Sequence, residues 1–70
     1  MSIHTTAASA LHAHIGGTQT AVASQLGEHR TSWCRYLAGS VHPSGKRVRR
    51  WAEAAGVRLA VGADGWEVLS

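Results

Sequence analysis

Glycine spacing constrains this chain more than any other feature. Glycines stand at Gly16-Gly17, Gly27, Gly39, Gly45, Gly56, Gly62 and Gly65, and most intervals between them have the length of a short helix. Helices this short are marginal alone in water. Each must therefore bury an apolar stripe against its neighbours. Over about residues 5–15, Ala7, Ala8, Leu11 and Ile15 recur at helical spacing. Thr18 is placed to cap a second helix running to Leu26, with Val22, Ala23 and Leu26 on one side. A third helix is expected over Arg30–Ala38, stopped by Gly39. Pro43-Ser44 opens a fourth, with Val48, Trp51, Ala52 and Ala55 on its apolar face and Gly56 at its end.

After Gly56 the period changes from helical to alternating. Val57, Leu59 and Val61 alternate with Arg58 and Ala60, and Trp66 and Val68 alternate with Glu67 and Leu69 across Gly62-Ala63-Asp64-Gly65. This pattern predicts a β-hairpin in which Val61 faces Trp66 and Leu59 faces Val68. The fold expected is mostly α: four to five short helices, about residues 5–56, with a C-terminal hairpin, about 57–69, in one domain spanning 1–70. A lone hairpin is marginal in water. Its apolar face, Leu59, Val61, Trp66 and Val68, must either pack on the helices or form a dimer interface.

The charges are segregated. Residues 1–27 carry no Lys, Arg, Asp or Glu, whereas six of the seven basic residues lie between Arg30 and Arg50, with Glu28 just outside that stretch. With a net charge of +3 and an isoelectric point near 10.0, the clustering points to a polyanionic partner, nucleic acid first. The single cysteine, Cys34, rules out an internal disulfide and fits the reducing cytoplasm. No apolar run approaches the ~20 residues of a membrane span, and a signal peptide is not expected. The five histidines, His4, His12, His14, His29 and His42, lack metal-ligand spacing and are expected at the surface. No carboxylate pair, Cys–His pair at catalytic spacing or Gly-rich phosphate loop is present. A binding protein without cofactor or metal is therefore expected, not an enzyme.

The third helix carries the candidate site. At about 100° per residue, with Arg30 as origin, Cys34, Ala38, Thr31 and Arg35 fall at about 40°, 80°, 100° and 140°. Trp33, Tyr36 and Leu37 fall at about 300°, 240° and 340°. One face is large and apolar; the other is basic and small, so a major groove could admit it while two arginines reach base edges or phosphates. Trp33, Tyr36 and Trp51 are expected in the core, and Cys34 as a small filler.

The run Thr18-Gln19-Thr20-Ala21-Val22-Ala23-Ser24-Gln25-Leu26-Gly27 resembles the Thr-Gln-x-x-Leu-Ala-x-x-Leu-Gly opening of phage repressor and Cro-like helix-turn-helix proteins, the XRE or lambda-repressor-like family. Arg30–Gly39 is similar to the family's recognition helix. Pro43-Ser44 with Val48, Trp51-Ala52 and Gly56-Val57 is similar to its following helix. The resemblance covers about residues 5–57. It implies a bacterial or phage transcription regulator that binds duplex DNA. A monomer this small offers few contacts, so a homodimer is expected at least on DNA. The resemblance also implies Gln19 as a phosphate contact and buttress, and Arg30, Thr31 and Arg35 as base contacts, with Ser32 and Cys34 on the same surface. Ser44, Lys46 and Arg47 would contact phosphates. An antitoxin-type module with a protein partner, and an excisionase-like architectural protein, are the alternatives. Two positions depart from the pattern. His29 stands where Ser or Thr usually caps the recognition helix, and Glu28 would bring a negative charge close to the groove.

Overall fold

The computed structural model describes residues 5–69. His4 lies outside them. Four helices, α1 (Ala7–Ile15), α2 (Gln19–Gln25), α3 (Arg30–Ala38) and α4 (Gly45–Ala55), are followed by an antiparallel hairpin of β1 (Arg58–Gly62) and β2 (Gly65–Leu69). The mostly helical class with a C-terminal hairpin is thus as expected.

Each helix starts on a side-chain cap. The hydroxyls of Thr6, Thr18 and Ser44 accept from the amides of Ser9, Ala21 and Arg47. Gly27 and Gly39 bracket α3 with left-handed φ values of 73° and 78°. At both, the amide of the glycine and that of the next residue bond back to the last turn. Gly27 donates to the Ser24 carbonyl and Glu28 to that of Ala23, while Gly39 donates to Tyr36 and Ser40 to Arg35. The space around both glycines is open. Backbone conformation, not crowding, requires glycine there.

Ala7, Ala8, Leu11, Val22, Ala23, Leu26, Trp33, Val48 and Trp51 form the buried core. Trp33 meets Trp51 edge-to-face, ring centroids 5.1 Å apart, and Tyr36 meets Trp51 in the same way at 5.1 Å. Two aromatic residues of α3 thus converge on one tryptophan of α4. This cluster fixes how far α3 rolls about its own axis, and hence which of its residues face outward.

The first helix is shorter at its start than its apolar spacing suggests. Thr6 is the cap, and Thr5 pairs with the hairpin: its amide donates to the Asp64 carbonyl at 3.0 Å and its carbonyl accepts from Trp66 N at 2.8 Å. The hairpin is thereby tied to the N-terminal segment by backbone bonds. Its register is the expected one, Leu59 opposite Val68 and Val61 opposite Trp66. Leu59, Trp66 and Val68 pack against the helical core, so the hairpin face is covered within the monomer at those three positions. Val61, one residue before the turn-flanking Gly62, is 68% exposed.

His12 differs from its expected surface position. It is half-buried, and its Nδ1 accepts from Trp33 Nε1 at 3.1 Å, with the two rings tilted and 6.2 Å apart. Trp33 is fully buried, and its indole N–H needs a partner. His12→Ala is therefore expected to destabilise the fold by about 1–3 kcal/mol, the cost of leaving a buried donor unpaired. Urea unfolding followed by tryptophan fluorescence measures it. Loss of less than ~0.5 kcal/mol would mean that water replaces the imidazole.

Candidate nucleic-acid interface

The α2–turn–α3 unit presents one polar face. Arg30, Thr31, Arg35 and Ala38 are exposed on α3, whereas Trp33 opposite them is fully buried. Ser32 and Cys34 are half-buried at the margins. No acidic side chain occurs anywhere in α3. The helix therefore offers two full positive charges on an otherwise short-side-chained surface.

Gln19, the first residue of α2, is exposed and reaches this face. The Cys34 Sγ donates to Gln19 Oε1 at 2.7 Å. The contact ties the start of α2 to the middle of α3 and leaves the Gln19 amide nitrogen free to donate outward. Cys34 is thus more than filler. Its thiol sits 15 residues from its partner in sequence, a separation that helical periodicity cannot reveal.

His29 does cap α3, through the ring: its Nδ1 accepts from the Thr31 amide at 3.3 Å. The bond is long and exposed, a weak substitute for a hydroxyl cap.

Glu28 does not project a negative charge towards the polar face. Its side chain is only 4% exposed and turns inward. Both carboxylate oxygens accept from Arg47 Nη1, at 2.9 and 2.7 Å, and Oε2 also accepts from Trp51 Nε1 at 3.0 Å. Arg47 lies 5.8 Å over the Tyr36 ring. The hydrogen bond with Glu28, and then its charge, hold the Arg47 guanidinium even further above its ordinary range. Of the residues expected to meet phosphates, Arg47 is thus already engaged, whereas Ser44 and Lys46 are exposed at the start of α4.

Ser44, Lys46, Arg47 and Arg50 together line a polar cleft at that start. Ser44 caps only the Arg47 amide, leaving first-turn amides for solvent or an anion. Arg50 is the residue that a reading centred on the Pro43-Ser44 segment omits. Its spacing of three from Arg47 does place both on one side of the helix. Beside α3, Val41 is 42% exposed and lines a smaller cleft with Ser32, Arg35 and Tyr36. A valine between two glycine- or proline-bounded turns carries no sequence signal for that position.

Among the described residues, no group of three or more His, Cys, Asp or Glu side chains could hold a metal ion. No described helix is long and apolar enough to cross a membrane. No protein-family model matches the chain, and no curated protein or solved structure matches it at a significant level.

Proposed function

We propose that the protein is a sequence-specific, duplex-DNA-binding transcription regulator of the Cro or repressor type, and that α3 enters the major groove. The observation that carries this reading is the outward face of α3: Arg30, Thr31 and Arg35 exposed on a helix whose opposite side is fixed by Trp33 and Tyr36 against Trp51. Arginine side chains on a narrow helix face suit the two acceptors of guanine, and Thr31 suits a thymine methyl or a phosphate. Gln19, Ser44 and Lys46 would position the helix on phosphates without reading sequence.

One copy offers few contacts, so specific binding is expected to take two copies. Their recognition helices would lie about 34 Å apart, one duplex turn. The domain measures 30 × 25 × 23 Å, which lets two copies sit side by side at that spacing. The site of action would be the cytoplasm of a bacterial or phage-infected cell.

The test is binding to a fluorescently labelled random-sequence duplex across a salt series. Wild-type affinity is expected to fall steeply with salt, about 0.9 log units per log unit of salt for each neutralised phosphate. Lys46→Ala should weaken binding to all sequences alike and make that slope shallower by about 0.9. An unchanged slope would remove Lys46 from the phosphate contacts, and a flat wild-type response would remove DNA.

A further inference from the structure

We propose that Glu28 helps to set DNA specificity by withdrawing Arg47 from the phosphate-binding surface, so that Lys46 and Arg50 carry the positive charge of the cleft at the start of α4. This inference rests on the DNA reading above and adds to it a positioning residue, Glu28, and a phosphate contact, Arg50.

Three observations carry it. First, the Glu28 carboxylate is 4% exposed and takes three hydrogen bonds, two from Arg47 Nη1 and one from Trp51 Nε1. If Arg47 swung out to a phosphate, a buried carboxylate would lose its ionic partner, which is strongly unfavourable. Second, Arg47 is held at both ends. Its backbone amide donates to the Ser44 hydroxyl at 3.2 Å, and its guanidinium lies over the Tyr36 ring. Third, Arg50 stands differently. Its Nη2 is 4.0 Å from Glu28 Oε2, at the outer limit of an ion pair, and its side chain is 64% exposed against 39% for Arg47. At that distance the exposed Arg50 end is held weakly, and the carboxylate keeps Arg47 as its close partner, so Arg50 can turn to an external phosphate at little cost.

The consequence is for specificity. Phosphate contacts strengthen binding to every sequence equally. By cancelling one of the three cations lining the cleft, Glu28 limits random-sequence binding while leaving the base-facing arginines of α3 untouched. Because Glu28 follows Gly27 in the α2–α3 turn and Arg47 lies in α4, the same contact sets α3 relative to the phosphate-facing helix.

The experiment compares wild type, Glu28→Gln, the charge-balanced double variant Glu28→Gln with Arg47→Met, and Arg50→Ala. Each is checked by circular dichroism and titrated with a labelled random-sequence duplex across a salt series. Glu28→Gln keeps an acceptor for Trp51 while releasing Arg47. It should bind the random duplex more tightly, with a slope steeper by about 0.9, or about 3.5-fold more affinity lost between 50 and 200 mM salt. The double variant should keep the wild-type slope, and Arg50→Ala should be shallower by about 0.9. Weaker random-duplex binding or an unchanged slope in Glu28→Gln would overturn the proposal. So would a double variant shallower by about 0.9, or an unchanged slope in Arg50→Ala. In all these cases a steep wild-type slope leaves the DNA reading standing, whereas a flat one overturns both.

Discussion

Trp51→Ala is expected to remove about 3–5 kcal/mol of folding stability. A chain of 70 residues has roughly 4–10 kcal/mol in total at typical stability per residue. The substitution should therefore remove roughly a third or more of the folding stability, and at the lower end of that range it unfolds the domain. The size of the effect follows from what Trp51 joins. It is fully buried, it meets both Trp33 and Tyr36 edge-to-face, and its indole N–H is one of the partners of the Glu28 carboxylate. Trp51→Phe separates the two roles. The six-membered ring remains while the N–H-bearing half of the indole goes, so the expected loss is about 1.5–3 kcal/mol for the hydrogen bond to a charged group, with a smaller cavity than alanine leaves. Guanidinium unfolding of the two variants measures both. Equal losses would show that the N–H-bearing half of the indole dominates, and a loss under ~1 kcal/mol for alanine would show that the core closes over the gap.

The second large effect concerns recognition. If α3 reads DNA as proposed, Arg35→Ala is expected to cost about 1–3 kcal/mol on the preferred duplex, roughly 5- to 150-fold in affinity, the value of a two-pronged contact to guanine. On random sequence the same variant should lose no more than one phosphate contact, seen as a salt slope shallower by no more than about 0.9. The distinction matters because Arg35 is exposed and forms no ion pair among the described residues. It is free to serve either a base or a phosphate. Competition titrations with preferred and random duplexes decide between them, and equal losses on both would make Arg35 a phosphate contact.

Much of the architecture was legible in the sequence, for identifiable reasons. Gly27, Gly39 and Gly56 mark helix ends because each occupies a left-handed backbone position that other residues avoid. Helical spacing separated Trp33 and Tyr36 from Arg30 and Arg35 because a helix has a fixed angular step. The hairpin register followed from alternation, since a shift of one residue would put Leu59 and Trp66 on the wrong face.

The contacts that were not legible are side-chain pairings across long separations. His12 meets Trp33 across 21 residues, and Glu28 meets Arg47 and Trp51 across 19 and 23. Periodicity assigns a residue to a face but not to a partner. A glutamate in a turn reads as a solvated charge unless two donors are known to converge on it. Thr5 was hidden for a related reason: its backbone, not its side chain, joins the hairpin.

The most direct test of the central claim is selection of a fully randomised duplex library by the wild-type protein at two salt concentrations. The DNA reading predicts a short enriched motif containing guanine, retained at the higher salt, together with random-sequence binding that salt weakens steeply. A library that shows no enriched motif, with association indifferent to salt, would contradict it.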